Sequence, residues 1–174
     1  IHVANTAGGS SLDAGFVIKQ QPRTKNIATA IQKNVTITAT QTTYSFACGG
    51  TDLEMTFTSP LLLDDLDLLS RPVSYVSFKV HATDGRTHNA ALYFGASSSL
   101  ATNTDAQEVK AEKYTANGLS VLKAGTTSQP VLQKKGDDLR IDWGYIHIAV
   151  PQSQKPVQFV SAEDVAISNF SAGT

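Results

Sequence analysis

Residues 43–58 read TYSFACGGTDLEMTFT, and this stretch decides the fold class. Its apolar residues recur at every second position on both sides of a glycine pair, a period that is typical of half-buried β-strands. The alternating residues are Tyr44, Phe46 and Cys48 before the pair, and Leu53, Met55 and Phe57 after it. Because Gly49 and Gly50 favour a tight turn, the stretch predicts two antiparallel strands joined as a β-hairpin.

The same alternation continues on both sides of this hairpin. Residues 35–39 alternate apolar side chains with threonine, which predicts a preceding half-buried strand. Residues 76–82 alternate again, and residues 88–94 run back from the pair Asp84-Gly85. An Asp-Gly pair between two alternating runs is a strong signal for a primed turn, so these two runs are predicted to form a second hairpin.

Further strands are predicted in the second half of the chain. Residues 108–114 and 119–124 flank an Asn-Gly turn and predict a third hairpin. Residues 139–150 indicate one long strand that is apolar on both faces, which favours a central position in a sheet. Gly144 lies within this run, where a glycine is expected to mark a bulge or the close approach of another backbone.

We therefore expect an all-β protein, an antiparallel β-sandwich that forms a single domain with little helix. The sandwich is predicted to span residues 34–160. Residues 1–33 are expected to be an N-terminal segment that is partly flexible or an edge strand, with a first strand at residues 16–20. Residues 161–174 are expected to be a C-terminal tail or a short helix with Ser161 as its N-cap, leading to an absent downstream domain.

Composition excludes several classes of function. The 174 residues carry a formal net charge of −1 and no basic stripe, so nothing favours nucleic-acid binding. No apolar run approaches the roughly 20 residues that a membrane span requires. No signal peptide is recognisable. Cys48 is the only cysteine, which excludes a disulfide within the chain.

Two stretches place charges inside apolar sequence, namely residues 59–75, SPLLLDDLDLLSRPVSY, and residues 136–145, GDDLRIDWGY. Buried charges are costly unless they are paired, so we expect the carboxylates to pair with arginines and to hold both loops in shape. The expected structural or domain-interface residues are Asp65, Arg71, Asp138, Arg140, Asp142, Trp143 and Tyr145. On this interpretation, Arg71→Ala would destabilise the fold by roughly 3 kcal/mol or more.

These stretches leave other chemistries open. Asp64, Asp65 and Asp67 could ligate Ca²⁺, although the spacing of an EF-hand loop is missing. One carboxylate from each stretch could form the acid/base pair of a glycoside hydrolase, but spacing in sequence does not fix their separation. Trp143 and Tyr145, if exposed, would form a sugar platform or a docking face, whereas such a pair usually packs within a sheet.

No catalytic residue, metal site or cofactor is predicted from motifs. The chain lacks a GxSxG elbow, a Walker loop, a GxGxxG loop and an HExxH helix. His81 and His88 flank the predicted second turn and could meet across it, but two polar residues on a half-solvated sheet are the simpler interpretation. Cys48 alternates with core residues, which favours a buried and inert thiol over a nucleophile.

Three longer segments carry a family resemblance. They are residues 43–80, TYSFACGGTDLEMTFTSPLLLDDLDLLSRPVSYVSFKV, residues 84–97, DGRTHNAALYFGAS, and residues 118–151, GLSVLKAGTTSQPVLQKKGDDLRIDWGYIHIAVP. The chain resembles the N-terminal β domain of the glutaminase A family, in particular its large bacterial multidomain members, over residues 35–151. Where that family has an aromatic residue after the Ala-Ser pair, residues 97–100 of this chain read SSSL.

The resemblance implies a non-catalytic N-terminal domain of a periplasmic or secreted, glutaminase-like hydrolase. Its partner would be a downstream helical toroid domain of the same polypeptide, on which it packs and whose active-site rim it helps to shape. The alternative is a carbohydrate-binding module or an accessory domain of a glycoside-hydrolase-like enzyme, so a small-molecule or glycan ligand stays open. A third hypothesis is a self-sufficient hydrolase that uses the clustered aspartates.

Overall fold

The computed structural model describes residues 2–5, 12–15 and 27–173, and strands dominate these residues. The strands are β1 (His2–Asn5), β2 (Leu12–Gly15), β3 (Ala28–Thr29), β4 (Ile31–Ile37), β5 (Gln41–Cys48), β6 (Thr51–Thr58), β7 (Tyr75–Ala82), β8 (Ala90–Tyr93), β9 (Val109–Ala116), β10 (Leu119–Thr126) and β11 (Ile146–Pro151). The helices are α1 (Leu66–Leu69), α2 (Glu163–Ala172) and the 3₁₀ turns Ser98–Ala101 and Gln152–Gln154. The predicted all-β class is confirmed.

The chain divides into two compact units. The first comprises Ile1–Phe94 with Phe170–Thr174 and contains two four-stranded sheets, with strand orders β3-β2-β1-β8 and β4-β5-β6-β7. The second, Gly95–Asn169, contains a three-stranded sheet of order β11-β10-β9. The described strand pairs are antiparallel, as predicted, apart from the short parallel pair of β2 and β3.

The hairpin predicted from residues 43–58 is confirmed and forms the core of the first unit. β5 and β6 pair along their whole length around Gly49, whose φ of 67° lies in the left-handed region that glycine adopts without steric cost. Its buried residues are Phe46, Cys48, Leu53 and Met55. Leu92 of β8 packs against this cluster from the other sheet of the unit, so the two sheets share one core, as in a sandwich.

The second predicted hairpin is wrong. Among the described strands, β7 pairs with β6 whereas β8 pairs with β1, so the chain crosses from one sheet to the other. Polar contacts hold this longer connection: Asp84 Oδ1 accepts a hydrogen bond from the Arg86 N–H at 3.0 Å and lies 2.8 Å from His88 Nε2. The crossing also brings Leu92 to the core, where burial of its apolar surface favours the observed arrangement.

The strand predicted before the core hairpin exists, but its half-burial is wrong. All residues of β4 are exposed, including Ile37 at 74%. The reason is position: β4 is the edge strand of its sheet and pairs with β5 alone among the described strands. Alternation in sequence is the same for an edge strand and a central one, because it reports the pleat and not the neighbours.

The long strand predicted at residues 139–150 is also wrong in its first half. Only β11 is extended, and residues 136–145 are irregular because Gly136, Asp138 and Gly144 adopt φ angles of 130°, 56° and 83°. Positive φ angles at these residues interrupt the pleat of a strand. The predicted central position is wrong as well, because β11 pairs with β10 alone among the described strands, and β10 lies at the centre of this three-stranded sheet.

The hairpin predicted around Asn117 and Gly118 is confirmed. β9 and β10 pair from Val109↔Thr126 to Ala116↔Leu119. The two turn residues have φ angles of 49° and 75°, the two positive values that a type I′ turn requires.

A short helix, α2, forms near the C-terminus, where a tail or a helix was predicted. It begins at Glu163, and the Ala166 N–H donates to the Ala162 carbonyl at 3.0 Å, so Ala162 takes the N-cap position instead of Ser161. Ser161 Oγ donates to the same carbonyl at 3.1 Å. The strand predicted at residues 16–20 lies outside the described residues.

Two leucines of the first unit, one buried and one exposed, give a matched test of the core. Leu53 is 1% exposed and Leu63 is 82% exposed. We expect Leu53→Ala to lower the free energy of unfolding by about 2–5 kcal/mol, because it leaves a cavity in a packed core. Leu63→Ala should change it by about 0.5 kcal/mol or less. Urea denaturation followed by circular dichroism measures both, and equal losses would contradict this assignment of the core.

Candidate functional site

The leucine segment, defined here as residues 61–69, lies between β6 and β7 and ends in the single turn of α1. Asp65 is the N-cap of this turn, and its Oδ1 accepts a hydrogen bond from the Leu68 N–H at 2.9 Å. The Leu69 N–H donates to the Asp65 carbonyl at 2.9 Å. Pro60 and Pro72 bracket the segment and limit any longer helix. The segment is therefore ordered by local capping.

The leucines of this segment point largely into solvent. Its most exposed leucines are Leu61, Leu62, Leu63 and Leu66. Single exposed apolar residues are common on proteins, but a run of them on one capped segment is typical of an interaction surface. The three aspartates of the segment are exposed too, so carboxylates and apolar side chains lie side by side on the same surface.

Arg71 does not form the ion pair that the sequence suggested. Its side chain is exposed and makes no ion pair with the described carboxylates. Its backbone instead continues the turn, with its N–H donating to the Leu68 carbonyl at 3.3 Å and its carbonyl accepting from the Val73 N–H at 2.8 Å. Asp65 thus caps the helical turn within the leucine segment, whereas Arg71 lies just after the segment and does not pair with Asp65.

Asp142 organises the second motif, residues 136–145. The residue is only 3% exposed, and its Oδ2 accepts hydrogen bonds from Lys134 Nζ at 2.6 Å and from Gln107 Nε2 at 2.8 Å. The hydrogen bond from Lys134, followed by that from Gln107, holds the pKa of Asp142 below its ordinary value. The carboxylate is therefore ionised at neutral pH and joins three parts of the second unit.

The side chain of Gln129 fixes the end of the same motif. Its Oε1 accepts from the Gly144 N–H at 2.7 Å, while its Nε2 donates to the Gly144 carbonyl at 3.1 Å and to the Thr126 carbonyl at 2.8 Å. Thr126 Oγ1 in turn donates to the Asp142 carbonyl at 2.6 Å. In a strand, these backbone N–H and C=O groups would form hydrogen bonds to a neighbouring strand. Here the side chains of Gln129 and Thr126 form hydrogen bonds to them, so the segment can be irregular.

The remaining predicted residues of this motif occupy different environments. Asp138 and Arg140 are exposed, and the Arg140 N–H donates to Asn103 Oδ1 at 3.0 Å. Trp143 is half-buried and Tyr145 is 47% exposed. The partner of Asp142 is Lys134 and not Arg140, so the structure brings an acid and a base together, but not the pair that the sequence suggested.

Sequence reasoning missed Gln107, Gln129 and Lys134. Gln107 lies 35 residues before the carboxylate that it binds, and no periodicity marks a glutamine as a buried donor. Lys134 lies eight residues before Asp142 in a loop, outside any helical spacing that would suggest a pair. The signal available in sequence was limited to an aspartate inside apolar residues, which indicates that a partner exists but does not identify it.

A depression of about 300 Å³ lies on the second unit beside Tyr145, and we call it the charged depression. Its lining residues are Lys110, Glu112, Lys123, Thr126, Thr127 and Tyr145. Lys123 Nζ lies 3.9 Å from the centre of the Tyr145 ring, a cation–π contact. Lys110 Nζ lies 2.9 Å from Glu112 Oε1, and this hydrogen bond lowers the pKa of Glu112 and raises that of Lys110.

Gly125 explains how Tyr145 lies close to the sheet. A Cβ atom at Gly125 would lie 2.6 Å from the Gly144 carbonyl oxygen and 2.7 Å from Tyr145 Cδ1, so a larger residue would displace both. The sequence predicted that another backbone would come close at Gly144. The residue that comes close to Gly144 is Gly125. Gly144 itself is required for its φ of 83°.

Metal-ligating residues do not cluster in the part of the chain that the structure describes, where no group of three or more could hold an ion. His88 pairs with Asp84, and His81 Nε2 lies 3.8 Å from Asp52 Oδ2. Burial, and to a smaller extent the charge of Asp52, raises the pKa of Cys48, so the thiol is protonated at neutral pH. None of the described helices is long and apolar enough to cross a membrane.

Comparison with models of protein families places most of the chain in one family. The model of a domain family of unknown function, DUF5127, matches residues 40–174, which include both motif segments. The chain belongs to the DUF5127 family. No curated protein and no solved structure matches this DUF5127 domain.

The exposure of Arg71 in the DUF5127 domain predicts a small mutational effect. Arg71 is exposed and forms no ion pair with the described carboxylates. Arg71→Ala should therefore change the free energy of unfolding by about 0.5 kcal/mol or less. Urea denaturation beside the unmodified domain measures this difference. A loss near 3 kcal/mol would instead restore the buried-pair interpretation drawn from the sequence.

Ionisation of Asp142 predicts a pH-dependent contribution to stability. Because its folded-state pKa is lowered, this carboxylate stabilises the fold fully above the ordinary value of 3.8, and the stabilisation is lost as the pH falls through the lowered value. We expect Asp142→Asn to be less stable than the unmodified domain at about pH 7, and the difference to shrink below about pH 4.

Urea denaturation at several pH values tests this expectation. The control is Asp64→Asn, because Asp64 is exposed and no hydrogen bond to its side chain is seen among the described residues. That variant should track the unmodified domain at every pH. A stability difference for Asp142→Asn that stayed constant down to about pH 3 would show that ionisation of this carboxylate does not stabilise the fold.

Proposed function

We propose that this DUF5127 domain is a non-catalytic accessory domain that docks, through its leucine segment, on the catalytic domain of a glutaminase-like hydrolase. The observation that carries the proposal is the exposure of four leucines on a segment held by the Asp65 cap. The identity of the partner rests on the resemblance of residues 35–151 to the N-terminal β domain of the glutaminase A family. In that family type, a helical toroid domain of the same polypeptide supplies the catalytic centre.

Physical chemistry supports an interface role for this segment. Leu63 and Leu66 are 82% and 73% exposed, and covering such side chains stabilises a complex by roughly 25 cal/mol for each Å² of apolar surface removed from water. The capped turn already has its backbone ordered, so docking orders fewer groups than binding of an unstructured peptide would. Arg71, which is exposed two residues after the leucine segment, is available to pair with a carboxylate of the partner domain.

Carbohydrate recognition is less well supported. A sugar platform needs an open aromatic face, whereas Trp143 is half-buried and the Lys123 ammonium lies over the ring of Tyr145. Glycan-array binding that Trp143→Ala abolishes would favour that alternative. The docking proposal rests on the leucine segment and not on Trp143 or Tyr145.

The first test compares this domain with a longer polypeptide that also carries the downstream region. We expect the longer polypeptide to release ammonia from L-glutamine and the domain alone to release none. Hydrogen exchange by mass spectrometry should show slower exchange of the amides of the leucine segment in the longer polypeptide, because docking covers them. Ammonia release by the domain alone, or unchanged exchange in the segment, would contradict the proposal.

A matched pair of variants locates the docking surface. In the longer polypeptide, Leu63→Asp should abolish the slower exchange of the leucine segment, because a carboxylate would have to be desolvated at the interface. Leu132→Asp is the control: Leu132 is 78% exposed, lies in the second unit, and has a φ of 52° that aspartate tolerates. If both variants retain the protection, the leucine segment is not the docking surface.

A further inference from the structure

The charged depression of the second unit lies on one face of the three-stranded sheet. Lys123 of β10 is directly opposite Glu112 of β9 and His147 of β11, so the three side chains project from the same face. Lys110 lies two residues before Glu112 and therefore shares this face, opposite Gly125. The pairing register, and not the sequence spacing, brings these ionisable groups together.

The charges in the lining of the depression do not cancel. Lys110 and Glu112 form one ion pair at 2.9 Å. Lys123 forms no close ion pair with the described carboxylates, and its ammonium rests on the Tyr145 ring. Its charge acts only at longer range on Glu112, which already pairs with Lys110. The lining residues thus include two ammonium groups and one carboxylate. A ligand with one negative charge would neutralise the excess positive charge of the lining.

The Lys123 ammonium is held in position before any ligand arrives. Its 3.9 Å contact with the Tyr145 ring restricts the side chain, and the missing Cβ of Gly125 lets the ring lie against the sheet. Gln129 fixes Gly144, the residue that precedes Tyr145, through both its donor and its acceptor. Restricting a side chain in advance lowers the entropic cost of binding.

We propose that the charged depression binds a small organic carboxylate, with Lys123 as the principal contact and Lys110 as the second ammonium. A volume of about 300 Å³ lies at the lower end of the range for small-molecule sites and suits a ligand with a single ring. Thr127 is an exposed residue of the lining, and its hydroxyl could bond to a hydroxyl group on the ligand. This site lies in the second unit and does not depend on the proposed docking through the leucine segment.

The test uses D-glucuronate as the probe and D-glucose as the matched neutral control, because the two differ in one carboxylate. We expect titration of the ¹⁵N-labelled domain with D-glucuronate to shift the amide signals of Lys110, Thr127 and Tyr145 with saturation at millimolar concentration. D-Glucose should shift none of them. Raising the ionic strength from about 0.05 M to about 0.5 M should weaken binding of D-glucuronate, because salt screens partly exposed charges.

Two lysine variants then identify the contact. Lys123→Met removes the ammonium and should weaken binding of D-glucuronate by roughly fivefold, the upper end of what one partly exposed ion pair contributes. Lys113→Met is the control, because Lys113 lies on β9 with its side chain on the face of the sheet opposite the charged depression. The affinity of this variant for D-glucuronate should not change. The dispersion of the amide spectrum reports whether each variant is folded.

Several results would overturn this proposal. They are equal binding of D-glucose and D-glucuronate, no saturable shift with D-glucuronate, affinity that is insensitive to salt, and equal affinity of the two lysine variants. Equal binding of both sugars would indicate a neutral glycan site. The salt titration uses the unmodified domain, so it decides the matter even if Lys123→Met fails to fold. All measurements are made on this domain alone, so they are independent of glutaminase activity and of docking.

Discussion

The buried carboxylate of Asp142 is the constraint on which the second unit depends. An ionised aspartate in this position must have donors, and Lys134 and Gln107 reach it from two separate loops. Gln107 also accepts from the Asn103 N–H at 2.7 Å, and Asn103 accepts from the Arg140 N–H. One desolvated charge thereby links the loop before β9 to residues 136–145. The network fixes the loop shape that the sequence motif GDDLRIDWGY encodes.

The position of Tyr145 follows from this arrangement. Asp142 and Gln129 hold the irregular segment that precedes β11, and Gly125 removes the atom that would block the ring. The ring then lies beside the charged face of the sheet, under the ammonium of Lys123. The polar network is therefore structural, and it positions Tyr145 in the lining of the charged depression.

The first unit depends on a different interaction, the burial of a small apolar cluster. Phe46, Leu53 and Met55 fill the space between its sheets, while the leucine segment and β4 leave apolar side chains in solvent. Apolar content is thus divided between a core that stabilises the unit and side chains that remain exposed to solvent. The cap at Asp65 keeps the leucine segment ordered without burying it.

Sequence alone determined the all-β class, the core hairpin and the Asn117-Gly118 turn, because alternation and turn residues act between near neighbours along the chain. The rule that a buried carboxylate needs a partner also applies to Asp142, whereas the aspartates of the leucine segment are exposed. Only the tertiary structure decided that β7 and β8 belong to different sheets, that β4 and β11 are edges, and that Lys134 is the partner of Asp142. These features depend on which segments meet across long sequence separations, and a periodic pattern carries no information about that choice.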